Sequence, residues 1–242
     1  MKKRLVSFAL ASLICGSVVE ARFYLGFDLG YTGAMSYGRG KGMYYGNVEI
    51  QDLKYMFKTF SKSDEKGSVK MEPFMGFNTN INFGTENFYL DNYLGFRWGA
   101  SIGYTTVSQT TEFRSQQSYG TAISSIIEEY NFLDFGLSID AILNFWNNGA
   151  YSVGVFGGVE GEYHYFLSGR YDNYNANIYE SFRNIHSYGI NGRIGLSTLF
   201  AENHRVDFTA KIPILIAGNN WIYSNASCLI KTSFDIGYKY VF

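Results

Sequence analysis

The chain has 242 residues, 20 Lys and Arg against 21 Asp and Glu, a net charge of −1, and an aromatic content of 19%. So even a balance offers no electrostatic footprint for nucleic acid, and three scattered His (His164, His186, His204) with two Cys make no metal-ligand cluster. With 27 Gly, 21 Tyr, 21 Phe and only 2 Pro, and no internal apolar run as long as a membrane helix, the composition suits strands rather than a helical domain.

The chain opens with a basic segment, Lys2-Lys3-Arg4, then a mostly apolar core from Leu5 to Ile14 and the small-residue pattern Val19-Glu20-Ala21. This grammar predicts a signal peptide over residues 1–21, cleaved between Ala21 and Arg22. A membrane anchor would need about 20 apolar residues, and a lipid-attachment site at Cys15 would want a small residue where Ile14 stands. Losing the leader brings the net charge to about −3 and leaves Cys228 as the lone thiol, so no disulfide, metal or cofactor is expected.

Beyond the leader the pattern has period two. Phe23, Leu25, Phe27, Leu29 and Tyr31 alternate with Tyr24, Gly26, Asp28, Gly30 and Thr32, predicting a first strand. A long connection at about 36–70 follows. Met71 to Phe83 reads as the second strand, broken near its start at Pro73-Phe74 and joined by a short link at 84–92 to a third over Tyr93 to Val107. After a long stretch at 108–130, a fourth strand over Leu133 to Phe145 ends in Asn147-Asn148-Gly149, residues that tolerate positive φ in a turn. The fifth strand, Tyr151 to Tyr165, has one aromatic out of phase, Phe156. A long stretch at 167–185 leads to Tyr188 to Phe200, which turns at 201–204 into Val206 to Ile216. After 217–227 the chain ends on a strand in which Cys228, Ile230, Phe234, Ile236, Tyr238, Tyr240 and Phe242 share a face with Thr232, opposite Lys231, Asp235, Lys239 and Val241.

Each segment reaches the roughly 9 to 11 tilted residues that cross a bilayer. Long and short connections alternate, which predicts an all-β, antiparallel, up-and-down transmembrane barrel of eight strands. The short turns and both termini then lie in the periplasm and the long loops outside. Ten strands would need further crossings from Tyr44 to Phe60 and from Tyr119 to Ile127. The first of these stretches also has the spacing of a short helix, through Ile50, Leu53, Phe57 and Phe60.

The strand phases send Asp28, Glu72, Arg97, Asp134, Asp140, Glu160, Glu162, Arg193, Asp207, Lys211, Lys231, Asp235 and Lys239 inward. An eight-stranded barrel is about wide enough for its own side chains to fill, so these charges are expected to pair in a plug. A narrow porin is the alternative. Glu160, Glu162 and His164 stand in a row on one inward face, the one arrangement from which a general base could be built; no nucleophile motif accompanies it. Lys54, Lys58, Lys62, Lys66 and Lys70 recur every four residues in a first loop of about +3, a pattern able to meet anionic lipopolysaccharide or an acidic surface ligand. Outward aromatics gather at both strand ends: Phe23, Phe83, Phe145, Tyr151, Phe200, Tyr240 and Phe242 at one, Tyr31, Tyr104, Tyr163, Tyr165 and Tyr188 at the other.

The start of the processed chain, Arg22-Phe23-Tyr24-Leu25-Gly26-Phe27-Asp28-Leu29-Gly30-Tyr31, and its end, Gly237-Tyr238-Lys239-Tyr240-Val241-Phe242, resemble the small outer-membrane barrels of Gram-negative bacteria and are similar to the Helicobacter-type outer-membrane protein family. The resemblance implies that Tyr238, Tyr240 and Phe242 form the sorting signal read by the barrel-assembly machinery. It also implies that the loops face the host or medium in an adhesion-type or structural role, with outer-membrane lipid and lipopolysaccharide as neighbours. It carries over no catalytic residue, leaving a lipid-modifying enzyme as the rival reading.

Overall fold

The computed structural model describes residues 21–37, 42–47, 64–66, 69–71, 74–117, 120–172, 186–220 and 228–242. The strands are β1 (Arg22–Tyr37), β2 (Gly42–Asn47), β3 (Asp64–Lys66), β4 (Val69–Met71), β5 (Phe74–Tyr89), β6 (Leu94–Gln117), β7 (Gly120–Asn147), β8 (Ser152–Asp172), β9 (His186–Phe200), β10 (His204–Asn220) and β11 (Cys228–Val241); the described residues include no helix. Eight of these make a closed antiparallel wall, running β1-β5-β6-β7-β8-β9-β10-β11 and back to β1. Closure runs from Tyr24↔Val241 to Tyr37↔Cys228, so the first and last wall strands zip together and no edge remains there.

Alternation decides which way each strand faces, and the result is inside out relative to a water-soluble protein. Leu29, Phe77, Leu137, Ile139, Ile194 and Ile236 stand on the outer wall, with Leu137 70% exposed. Asp28, Arg97, Asp140, Glu160, Asp207 and Lys239 are buried inside. A contiguous apolar belt of this kind is stable only against hydrocarbon. The aromatics assigned to the two girdles from sequence lie on this outer face, among them Phe23, Phe145, Tyr151 and Phe242 at one end and Tyr31, Tyr104, Tyr165 and Tyr188 at the other.

Three turns at one end are tight. Gly149 takes positive φ as its turn chemistry requires (88°), but the other two turns hold ordinary side chains there: Leu90, Asp91 and Asn92, and Ala201 and Glu202. Each such residue costs roughly 1–2 kcal/mol, offset by bonds between the turns. Asn144 Nδ2 donates to the carbonyl of Asn92 (2.6 Å), Asn147 Nδ2 to that of Asp91 (2.6 Å), and the Glu202 amide to Ala150 (3.0 Å).

The opposite end departs from the sequence reading. The 108–130 stretch, expected as a loop, continues β6 and β7 as a paired hairpin up to Gln117↔Gly120. Tyr119 to Ile127 therefore adds no crossing, and the ten-strand alternative falls with it. The second wall strand begins at Phe74, and Met71 falls in β4, which with β3 extends the projecting sheet along β6. β10 pairs with β11 only as far as Lys211↔Ser233; beyond Pro213, which has no amide to donate, a bulge intervenes and β10 pairs with β2 instead. Thr232, on the outward phase, is accordingly buried rather than exposed. Residues 1–20, Glu72, the helix-spaced set Ile50, Leu53, Phe57 and Phe60, and the stretches 173–185 and 221–227 lie outside the described residues, as does the side chain of Cys228.

Candidate functional site

The interior is a stack of ion pairs to which every wall strand contributes. Nearest the tight turns, Arg205 of β10 meets Glu86 of β5 through Nε to Oε2 and Nη2 to Oε1, each 3.1 Å, while Nη1 donates to Ser197 Oγ at 2.7 Å. Its guanidinium lies 5.4 Å from the Phe88 ring centre. One layer up, Arg97 of β6 donates to Asp140 Oδ2 from Nε (3.1 Å) and Nη2 (2.9 Å), and from Nη1 to Asp207 Oδ2 at 2.6 Å. Lys239 reaches the same Asp207 oxygen at 2.6 Å, and Ser197 Oγ donates to its other oxygen at 2.6 Å. Phe156, the aromatic out of phase, lies inside with Arg97 4.9 Å from its ring centre; a cation face on an aromatic face is favourable in a dry interior. The ring is thus part of the plug.

The middle and upper layers use the row of β8. Glu160 is 2.8 Å from Lys211 and 3.6 Å from Arg193; Glu162 accepts from Lys211 at 3.1 Å and from Asn191 Nδ2 at 2.7 Å. His164 Nδ1 lies 2.6 Å from Asp134 Oδ1 and its Nε2 3.6 Å from Glu162 Oε2. Asp134 also accepts from Lys231 at 2.8 Å and from the Thr105 hydroxyl. Ser187 stands opposite His164 in register and is buried, so an acid, an imidazole and a hydroxyl do share a rung. Both imidazole nitrogens, however, face carboxylates.

Apolar clusters close both ends of this stack. Val107, Phe132, Phe166 and Ala34 pack above it, with Phe132 and Phe166 edge to face at 5.7 Å; Tyr24, Leu199 and Val241 pack below, beside Phe88, Ile142 and Phe156. Tyr24 needs room for its ring, and Gly99 supplies it, since a Cβ there would fall 2.1 Å from the Tyr24 hydroxyl oxygen. Among the described residues eight buried carboxylates face six Lys and Arg and one His. Among the described residues the interior is therefore a nearly balanced set of buried charges.

The expected interior charges are brought together, apart from Glu72. Two that sequence reasoning missed, Glu86 and Arg205, continue the inward phases of Asn82 and Asp207, because β5 and β10 extend past the expected strand ends at Phe83 and Val206. The candidate sorting residues lie on the outer wall at the tight-turn end. Phe242 donates its amide to the Phe23 carbonyl at 2.8 Å and packs on Phe23 (5.8 Å) and Tyr240 (5.0 Å). The Tyr238 hydroxyl lies 2.6 Å from His204 Nδ1, and His204 stacks on Phe200 at 5.3 Å. Ala21 precedes β1, and the Arg22 guanidinium donates to the Glu202 carbonyl. Of the first-loop lysines, Lys66 falls in β3 and Lys70 in β4 opposite Glu65, so their four-residue spacing there belongs to a hairpin; Lys54, Lys58 and Lys62 lie outside the described residues.

The model for the Helicobacter outer membrane protein family matches residues 80–242, more than half the chain. The chain belongs to that family. Membership assigns the barrel to the bacterial outer membrane, in keeping with its apolar belt and two aromatic girdles. A search of curated protein sequences gives no match for this family member. Among solved structures it is similar to Neisserial surface protein A (14% identity, TM-score 0.40, covering 91% of this chain and 97% of that one) and to the outer membrane protein OprG of Pseudomonas aeruginosa (9%, 0.40, 92% and 96%). It is also similar to Ail, the attachment invasion locus protein of Yersinia pestis, in complex with the heparin analogue sucrose octasulfate (12%, 0.34, 93% and 100%).

Proposed function

We propose that the protein is a non-enzymatic, non-conducting barrel whose work is done by the projecting end, in adhesion-type contact with an acidic surface ligand or with lipopolysaccharide. The observation that carries this reading is the contrast between the two ends. One has three short turns bonded to each other; at the other β6 and β7 run on past the last β5 rung, Met75↔Ser108, to Gln117↔Gly120 and take β3 and β4 as further strands. Rigid strands carried beyond the belt make a platform, and the first loop joined to it bears the five regularly spaced lysines. In this reading the tight turns and both termini are periplasmic, residues 1–21 are a removed signal peptide, and Tyr238, Tyr240 and Phe242 engage the assembly machinery.

Burial supports the absence of catalysis. His164 lies beneath Phe132 and Phe166 with both ring nitrogens committed, so it has no route to activate a hydroxyl on a lipid substrate. The test uses refolded barrel on immobilised heparin and on lipopolysaccharide vesicles. Retention should fall steeply with salt and fall at least tenfold when Lys54, Lys58, Lys62, Lys66 and Lys70 are changed together to Ser. Binding unaffected by that change, or turnover of lipid A or phospholipid by the same preparation, would overturn the reading.

A further inference from the structure

The outer wall of β8 is unevenly filled. Its outward positions between Val155 and Tyr163 are Gly157, Val159 and Gly161, so two of three carry no side chain. Where the neighbouring strand β9 has an outward glycine, Gly192, the space is taken by Ile214, whose Cδ1 lies 3.2 Å from the point a Cβ would occupy. At Gly161 a Cβ would meet nothing within 4 Å, and at Gly157 nothing nearer than 3.9 Å. Beside Gly161 the wall opens a cavity with a volume of 490 Å³, and Ala100, Ile102, Leu137, Gly161, Tyr163 and Tyr188 line it.

Two features define it. Its lining crosses β6, β7, β8 and β9 at the level of Gly161 and stops short of Val159 and Gly157, so the trough is a hollow centred on Gly161. At the end nearer the projecting sheet, Tyr163 stacks on Phe135 at 6.1 Å and packs on Tyr188 at 5.0 Å, forming a ledge of three rings across β7, β8 and β9. Rings with a polar tip mark headgroup level. The trough below them is continuous with the hydrocarbon belt on both sides, through Leu137 and Ile190, the cross-strand partners of Gly161.

We infer that this trough is a lipid site that holds the upper part of one acyl chain in fixed position against Gly161, its headgroup resting at the Phe135, Tyr163 and Tyr188 ledge. Under the orientation proposed above, that chain belongs to an outer-leaflet lipid. The apolar lining selects hydrocarbon, and the ledge sets the depth at which the chain ends. The remaining wall, where side chains such as Leu29 and Ile236 stand out from the surface, meets only exchanging lipid.

The full processed chain refolded into phosphatidylcholine vesicles carrying a diazirine on one acyl chain tests this directly, with crosslinked positions mapped by mass spectrometry. Labelling at Leu137, Gly161 and Ile190 should exceed that at Leu29 and Ile236, on the wall four and three strands from β8, by at least fivefold. Gly161→Leu, which fills the trough without a clash, should bring it down to the level of that wall while heat-modifiable migration persists. Even labelling round the belt in the unaltered protein overturns the inference whether or not the variant folds. A symmetric vesicle makes the result independent of which end of the barrel faces outward, so an error in the proposed orientation would leave this pattern intact.

Discussion

Changing Arg205 to Met takes from Glu86 the guanidinium bonded to it, while Arg97, its cross-strand partner, stays committed to Asp140 and Asp207. Both side chains are 0% exposed. Removing one partner of a buried pair costs about 3–5 kcal/mol, most of it the penalty of an uncompensated charge. Arg205→Met also loses the bond to Ser197 and the face of Phe88, each a further contribution of about 1 kcal/mol. Glu86→Gln leaves the guanidinium unpaired and should cost a similar amount. The double variant, Glu86→Leu with Arg205→Met, leaves no charge behind and should be less destabilised than either single one, within about 2 kcal/mol of the original. Urea unfolding of vesicle-refolded protein, followed by tryptophan emission and checked by gel migration, gives all four corners of the cycle. If the single costs add in the double variant, or if either single falls below about 1 kcal/mol, the pair is not what the structure says it is.

Gly149→Val should lower stability by about 1–2 kcal/mol in the same unfolding assay through backbone strain alone, because its φ is +88° and a Cβ there touches nothing within 4 Å; no measurable loss would mean that the turn relaxes. Deleting Phe242 removes its amide bond and ring contact to Phe23 and should cut the heat-modifiable fraction in outer membranes at least threefold while periplasmic export continues; unchanged assembly would take the sorting role from that residue. In planar bilayers the protein should give no steady conductance, and Phe132→Ala should not open it, since the layer of Asp134, Glu162, His164 and Lys231 remains beneath. Resolved steps from the unaltered protein would contradict a sealed interior.

How far the sequence could be read depended on what each residue faces. Strands with one side in hydrocarbon and one in the plug alternate sharply, so the eight crossings and the phase of Arg97, Asp140 or Lys239 were legible. Above the belt both faces of β6 and β7 leave the lipid, and Thr110, Thr111, Ser115 and Gln116 carry no alternation; a strand there looks like a loop until pairing is seen. The plug was legible as a set of charges but not as partners, since Arg97 and Asp207 are 110 residues apart and only closure of the barrel brings them to 2.6 Å. Phe156 looked misplaced because the phase rule assumes a polar interior, whereas a guanidinium accepts an aromatic face as readily as water. The irregularity of β10 against β9 at Pro213 and its exchange of β11 for β2 are pairings that no hydrophobic pattern reports.

Display of the projecting sheet outside the cell is the claim on which the proposed function rests. Single cysteines put in place of Gln117, Asp91, Asn148 and Glu202, in a Cys228→Ser background, would be labelled in intact cells with a membrane-impermeant maleimide. Gln117→Cys should react fully, and the three turn positions only after the outer membrane is permeabilised. Reaction at Asp91→Cys, Asn148→Cys and Glu202→Cys in intact cells, with Gln117→Cys protected, would turn the barrel over and contradict the account.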